Sequence, residues 1–581
     1  TSGIDWFELS GKIDYDGAVA SLPALLAALK RKENIIQLDD GTFGLLPEEW
    51  IKKYGIFAGM GEVEGEHLKF KKCQAGVLDA LLMSQPETNC DELFQKTRRQ
   101  LQSFAGVGPQ DAPSEFQGVL RGYQKEGLGW FDFLNKFGFG GCLADDMGLG
   151  KTVQVLALLE KRRLRPQDNL IAGPSLVVAP KSVIFNWKQE AAKFTPRLQI
   201  LDHTGAGRIA KQEHFENYDL ILTTYGTLRQ DAVDFQNIEF DYVILDEAQA
   251  IKNAGTISAK AARLLRARHR LALSGTPIEN HIGELWSLFE FLNPGLLGHA
   301  GVFSKTGADA LNPSEETRAL LSSALRPFIL RRTKAVVAPE LPEKTEQTMY
   351  CEMDKTQSKL YNELRNHYRL ALLKHLDKEG MQKSKIQILE ALLRLRQAAC
   401  HPGLIDQKWA NTISAKMEFL LPQLEEIIDE GHKVLVFSQF TSFLSIVRKE
   451  LETRKITYLY LDGKTKDRER MVNAFQKEND NKIFLISLKA GGLGLNLTAA
   501  EYVFLLDPWW NPAVEAQAID RTHRIGQTQQ IFAYRLITRN TVEERVLELQ
   551  KNKRDLVNAI IREDSGLIRN LRREDLELLL S

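Results

Sequence analysis

Cysteine is scarce in this 581-residue chain: five residues, Cys73, Cys90, Cys142, Cys351 and Cys400, none of them spaced as C-x-x-C. That scatter argues against a disulfide framework or a cysteine-built zinc site and fits reduced thiols in an intracellular protein. Cys400 and His401 adjoin, but with no ligand cluster beside them in sequence they read as packing residues. No run approaches the ~20 apolar residues of a membrane-crossing helix, and the start does not resemble a secretory signal. An excess of one charge is also missing, with 76 Lys and Arg against 76 Asp and Glu. A zero sum announces no polyanionic partner, yet it permits a local basic groove, because binding depends on where the charges sit. The chain opens on Thr1 rather than Met, so a trimmed chain or a fragment is expected, with the cytoplasm or nucleoid as its compartment.

What is present divides in two. Residues 1–113 mix element types: WFELSGKIDYDG alternates like a strand and its turn, and SLPALLAALKRK has helical spacing. Ile35 to Gly44 predicts a hairpin turning at Asp39-Asp40-Gly41, and CDELFQKTRRQLQSF a helix. The Gly- and Pro-containing loop AGVGPQDAPSEF then marks a boundary. From about Gln117 short, almost fully apolar runs alternate with amphipathic helices. The runs are LVVA (176–179), LILT (220–223), YVIL (242–245), LAL (271–273), VLVF (434–437), IFLI (483–486) and VFLL (503–506). Strands apolar on both faces suit a parallel sheet covered by helices, so the fold class is α/β, doubly wound. The runs group before Leu273 and after Val434, which predicts two such lobes. A mostly helical stretch lies between, including the Leu/Arg-rich run Ile386 to Ala399.

The most specific chemistry is Asp145-Asp146-Met147-Gly148-Leu149-Gly150-Lys151-Thr152, followed by the helical run VQVLALLEK. Glycines let backbone N–H groups close around phosphate oxygens, and the helix N-terminus adds positive potential. Lys151 would reach the β- and γ-phosphates and Thr152 would put its hydroxyl on Mg²⁺. Asp145 stands where the strict pattern has Gly, so the loop is a variant. After YVIL come Asp246 and Glu247. A carboxylate at the end of a strand near a phosphate loop is where an acid holds Mg²⁺, and Glu247 sits where a base can polarise the attacking water. LAL ends in Ser274-Gly275-Thr276-Pro277, whose hydroxyls could link this site to the rest of the lobe. From Glu515 a helix-like run carries Gln517, Asp520, Arg521, His523, Arg524 and Gln527. Arg521 and Arg524, three apart, would share one helix face and supply arginine fingers to a γ-phosphate. In the upstream stretch Leu120-Arg121-Gly122-Tyr123-Gln124, the Gln124 amide can donate to and accept from an adenine edge.

In order along the chain, these residues resemble the motif series of superfamily-two helicase-like ATPases, specifically the Swi/Snf-type DNA translocases. RGYQ is similar to the adenine-reading motif and DDMGLGKT to the phosphate loop. LVVAPKSVIFNW, LTTYGTL, DEAQAIKN, LALSGTPIEN, KVLVFSQF, SLKAGGLGLNLTAAEYVFLLDPWWNP and QAIDRTHRIGQ follow, from about Gln117 to about Val546. The resemblance implies two RecA-like lobes with helical insertions, Mg²⁺–ATP in the cleft between them and duplex DNA across both. The expected divisions are an α+β N-terminal accessory domain at 1–113, a first lobe at 114–340, a linker and helical insertion at 341–405 and a second lobe at 406–581. Gln124, Asp146, Gly148, Gly150, Lys151 and Thr152 would bind nucleotide. Thr152 and Asp246 would hold the metal, and Lys151, Asp246, Glu247, Arg521 and Arg524 would be catalytic. Lys181, Thr224, Ser438, Gln439, Lys489, Gly491, Thr498 and Trp509 would contact DNA. Such contacts go to the phosphate backbone, so binding is expected to ignore sequence and to be salt-sensitive. Trp509 and Trp510 fit a coupling element or a DNA contact, with buried packing an equal alternative for one of them.

Two departures stand out: Asp146 replaces the usual Glu, and the metal motif ends Ala248-Gln249 instead of Gly-His, as in bacterial and archaeal members. With no chromatin-reading module in the sequence, a nucleosome remodeller is not expected. The function implied is a DNA-dependent ATPase, a monomer, that translocates on duplex and remodels protein–DNA complexes. The alternatives are a motor on a transcription or repair complex, partnered through residues 1–113, a nucleotide-gated binding module without turnover, and a strand-separating helicase.

Overall fold

The computed structural model describes residues 6–46, 62–82, 90–102, 108–164, 173–275, 282–298, 322–488 and 495–552, with breaks of at most three residues inside these spans. The chain divides into two compact units, one of residues 1–146 with 150–333, the other of 147–149 with 334–581.

The first unit is built on a seven-stranded sheet. Its strands are β1 (Gly141–Leu143), β2 (Ser175–Ala179), β3 (Ile200–Asp202), β4 (Leu220–Thr224), β5 (Glu239–Asp246), β6 (Arg266–Leu273) and β7 (Ile329–Leu330). They pair in the order β3-β4-β2-β5-β6-β1-β7, and every pairing is parallel. Parallel strands need crossovers, here made by helices that cover the sheet. Those that matter below are α1 (Gly122–Phe137), α2 (Lys151–Arg163), α3 (Lys181–Phe194) and α4 (Tyr225–Phe235). Coverage on both faces is why β2 buries all five of its residues and β5 all but the first.

The described N-terminal residues contain the expected pieces. The helix Leu22–Arg31 forms, and Ile35–Gln37 pairs antiparallel with Phe43–Leu45. Gly41 has φ +86°, the left-handed turn conformation that glycine adopts without strain. Part of this segment shares a core with the first sheet: Phe7, Leu68, Phe70, Ala75, Leu78 and Phe94 pack in one cluster with the lobe's own apolar residues. The Gln74 amide donates to the Gly295 carbonyl at 3.0 Å.

The second unit carries a six-stranded, all-parallel sheet. Its strands are β8 (Lys344–Cys351), β9 (Val434–Ser438), β10 (Tyr458–Leu461), β11 (Ile483–Ser487), β12 (Tyr502–Leu505) and β13 (Ile531–Thr538), in the order β8-β13-β12-β9-β11-β10. β8 departs from the expectation that 341–405 is helical linker. It is an edge strand in register with β13, and its sequence KTEQTMYC opens with five polar residues and is buried only at its last, Cys351. The Leu/Arg-rich run is helical, as α5 (Lys385–Cys400). Both lobes are thus α/β with parallel sheets, and no described helix is long and apolar enough to cross a membrane.

Candidate functional site

The C-terminal edge of the first sheet gathers the candidate chemistry, because β5, β6 and β1 are neighbours and each ends in a motif. After β1 the chain runs into the variant phosphate loop. Gly150 caps α2 at φ +75°, and a β-carbon there would meet the Gln124 amide nitrogen at 2.7 Å, so both backbone angle and space demand glycine. The Lys151 ammonium donates back to the Asp145 carbonyl at 2.7 Å. Thr152 follows in the first turn of α2, and Asp146, Gly148, Lys151 and Thr152 are all half-buried.

The aspartate at the variant position has its own structural task. Asp145 is fully buried and paired with Arg332, whose Nε donates to Oδ1 at 2.9 Å and Nη2 to Oδ2 at 2.5 Å. Gln154 adds a donor to Oδ2 at 3.2 Å, and Arg332 also donates to the Tyr123 carbonyl and lies over the Tyr123 ring at 5.1 Å. One arginine after β7 therefore ties the phosphate loop to the start of α1. Gln124, expected at the adenine edge, is buried and accepts the Arg121 N–H at 3.0 Å in a capping box of α1, so its carbonyl serves the helix end.

At the end of β5, Asp246 is buried. Burial, then the Glu247 carboxylate beside it, push its carboxyl up to about 6, against the pull of the Trp187 hydrogen bond and the Lys151 charge. Trp187 Nε1 donates to Asp246 Oδ2 at 2.8 Å, and the Glu247 N–H to Oδ1 at 2.9 Å. The Tyr225 hydroxyl donates to the Asp246 carbonyl at 2.9 Å. Among the described residues no lysine or arginine forms an ion pair with Asp246. Glu247 sits at φ 50° and ψ 55°, a left-handed conformation costly for a side-chain-bearing residue, and accepts the Gln249 amide at 2.7 Å. The Ser274 hydroxyl, at the end of β6, donates to the other end of the same Gln249 amide at 3.5 Å. Thr276 and Pro277 lie outside the described residues.

The first-lobe DNA candidates begin helices. Lys181 is exposed in the first turn of α3, and Thr224 is the N-cap of α4, accepting the Thr227 N–H at 3.1 Å.

The second lobe corrects two expectations. Ser438, expected to contact DNA, is fully buried at the end of β9, and its hydroxyl donates to Asp507, so it has no exposed hydroxyl for a phosphate. Arg521 and Arg524 do not share a helix face. Helix α6 (Pro512–Ile519) stops before them: Thr522 N–H and Oγ1 both donate to the Ile519 carbonyl, at 3.0 and 2.7 Å, and Gly526 turns the chain at φ +102°. Both arginines thus lie in a turn, Arg521 fully buried and Arg524 half-buried. Gln527 fastens that turn by donating to the Thr498 and Ala500 carbonyls, each at 3.0 Å. Thr498, Gln439, Trp509 and Trp510 are half-buried, while Lys489 and Gly491 lie outside the described residues. Arg396 of α5 lies over the Trp510 ring at 5.1 Å and donates to the Pro508 carbonyl, which gives Trp510 a packing partner.

Sequence reasoning missed the supporting groups Arg332, Trp187, Tyr225 and Lys416. Lys416 is fully buried and donates to the Leu506 carbonyl at 2.6 Å, the Leu536 carbonyl at 3.1 Å and Glu543 Oε1 at 2.7 Å. A lysine in the first turn of the amphipathic helix Ala415–Asp429, on the side of its apolar residues, was the available signal.

Comparison with known proteins adds a sequence relationship. The SNF2-related domain matches residues 123–404 and the helicase conserved C-terminal domain residues 415–526. An uncharacterized ATP-dependent helicase of Mycoplasma pneumoniae is 38% identical, over 79% of this chain and 44% of that protein. The ISWI chromatin-remodeling complex ATPase ISW2 of Saccharomyces cerevisiae is 34% identical, over 77% of this chain and 41% of that protein. The solved SWI2/SNF2 ATPase core of Sulfolobus solfataricus in complex with dsDNA is 37% identical, over 80% of this chain and 98% of that chain, with a TM-score of 0.39. The chain spans about half the length of the curated relatives it matches, 44%, 53% and 44% for three bacterial ones.

Proposed function

Because this chain belongs to the SNF2 family of helicase-like ATPases, we propose that it is a DNA-stimulated ATP hydrolase that translocates on double-stranded DNA and remodels protein–DNA complexes. The observation that carries the reading is the buried Asp246 carboxylate, held by the Trp187 indole at 2.8 Å and the Glu247 N–H at 2.9 Å, at the same sheet edge from which the Lys151 loop springs. A buried carboxylate pushed up to about 6, paired with no basic side chain among the described residues, fits a divalent cation. Thr152 and Asp246 would hold Mg²⁺, and Gln124, Asp146, Gly148, Gly150, Lys151 and Thr152 the nucleotide. Bound there, Mg²⁺ would neutralise charge on the phosphoryl oxygens.

The protein's own groups then have separable tasks. Lys151 leaves the Asp145 carbonyl for a phosphate oxygen, while Asp145 stays with Arg332 and keeps the loop in shape. Glu247, held by Gln249, orients the attacking water and takes up its proton. Arg521 and Arg524 supply positive charge from the second lobe. Lys181, Thr224, Gln439, Lys489, Gly491, Thr498 and Trp509 grip the duplex backbone, so binding weakens steeply with salt and ignores sequence.

The test is ATP turnover with and without linear duplex. Stimulation by duplex of any sequence is expected, and none with any nucleic acid would sink the reading. A strand-separation assay distinguishes an unwinding helicase, and Lys151→Ala without effect on function would favour a binding module. One observation favours a protein target as the second reading: Ile35, Phe43 and Leu45 are exposed at 55%, 71% and 72% on the N-terminal hairpin. Loss of a captured partner in full-length Phe43→Lys, with turnover retained, would support it.

A further inference from the structure

Asp246 is held by two helices at once, and both begin at candidate DNA contacts. Helix α3 opens with exposed Lys181 immediately after β2. Six residues on, Trp187 is fully buried, and its only polar atom donates to the Asp246 carboxylate at 2.8 Å. Helix α4 opens after β4, with Thr224 as its cap and Tyr225 as its first residue. The Tyr225 hydroxyl donates to the Asp246 backbone carbonyl at 2.9 Å. We propose that Trp187 and Tyr225 are positioning residues that carry duplex engagement at Lys181 and Thr224 to the metal-holding acid Asp246.

The sheet order supports a short path. β4, β2 and β5 are consecutive neighbours, so the two helix starts and the acid share one edge of one lobe. A buried indole N–H needs an acceptor, and a backbone carbonyl would serve the fold equally well. Here it meets the carboxylate instead, while the phenol fixes the same residue's main chain from another side. A 14-residue helix packed on a sheet moves as a body, because close-packed interiors transmit displacement. A phosphate drawing in the start of either helix would therefore shift a donor on Asp246. Turnover is sensitive to errors of about 0.5 Å in such groups. On this account duplex on the first lobe is enough to preorganise the acid, and Tyr225 and Trp187 touch neither nucleotide nor DNA.

This inference rests on the reading of the chain as a DNA-stimulated ATPase, and the experiment separates their failures. The full chain and its Tyr225→Phe, Trp187→Phe and double variants are assayed for turnover with and without duplex, and for duplex affinity by fluorescence anisotropy. Tyr225→Phe should lower the ratio of stimulated to unstimulated turnover ~5-fold, and the double variant ~10-fold or more, as expected for losing one or two net hydrogen bonds. Duplex affinity should stay within about twofold. An unchanged ratio, or a drop matched by an equal loss of affinity, would overturn the proposal. Tyr225→Phe removes a single oxygen and keeps its packing, so it decides the matter if Trp187→Phe fails to fold. An unmodified chain that no duplex stimulates would sink the underlying reading as well.

Discussion

The two lobes each carry a buried aspartate at the C-terminal end of a central strand, Asp246 as the last residue of β5 and Asp507 two residues past β12, and they surround it differently. In the first, Asp246 receives two N–H donors and a tyrosine fixes its main chain, with a second carboxylate alongside. In the second, Asp507 accepts the Ser438 hydroxyl and the Gln439 N–H, and burial raises its pKa against the charge of Arg396. Lys416 and Glu543 complete a buried ionic set behind it. The first edge keeps Lys151, Thr152 and Glu247 half-open with spare bonding capacity. The second spends its hydroxyl and its lysine on the fold. A polar residue at a strand end is thus a candidate for chemistry only where its bonds are not already used.

The largest effect that separates the two edges should come from Glu247→Gln. Glutamine keeps the size and an acceptor for Gln249 but cannot take a proton, so turnover should fall ~10³-fold with nucleotide affinity retained. Steady-state hydrolysis and binding of a nucleotide analogue read the two quantities. Retained turnover would remove Glu247 from the chemistry. The second edge should respond in stability. Lys416→Met leaves the Glu543 carboxylate and two carbonyls buried without their cation, and should cost about 3–5 kcal/mol in chemical denaturation. Adding Glu543→Leu should recover part of it; no recovery would mean that the carbonyl bonds, not the ion pair, dominate.

This contrast was only half legible in the sequence. Strands such as β2 and β9 announce themselves because burial on both faces leaves no polar position in the run. β8 did not, because its first five residues, KTEQT, are polar and only partly covered, so no apolar run marks it. Lys151, Asp246 and Glu247 stood out as candidates because their motifs lie at or shortly after the ends of apolar strands. Their supports could not: Asp145 and Arg332 are 187 residues apart, and Trp187 and Asp246 are 59 apart. Nothing local in Trp187 or Tyr225 points to an aspartate. Arg521 and Arg524 were misread as helical because i, i+3 spacing ignores that the Thr522 hydroxyl can close the preceding helix. Ser438 likewise looked available because its partner lies 69 residues away.

The smaller effects concern acids within the first lobe and are opposite in sign. Asp246 has a folded pKa above its unfolded value of about 4, so its contribution to stability is full below that value and is lost as pH rises through about 6. Asp246→Asn should therefore gain stability over the unmodified chain between about pH 4 and 6, reaching about 3 kcal/mol at pH 8, although it cannot support turnover. Asp231 of α4 is the counterpart. The Arg208 guanidinium donates to it at 2.6 and 2.8 Å, His203 lies at 3.0 Å, and the Arg208 hydrogen bonds hold its carboxyl below the usual range even though burial opposes them. Its stabilisation is present above about pH 4 and is lost as pH falls through the folded value. Asp231→Asn should cost about 1 kcal/mol at pH 7 and nothing in strong acid. Denaturation midpoints of the three chains across pH 3 to 8 read both signs at once. If both variants lost stability at pH 8, the Asp246 carboxylate would be stabilising in the fold as it stands rather than held in wait for a cation, and the case for a metal-holding acid at the first edge would fall.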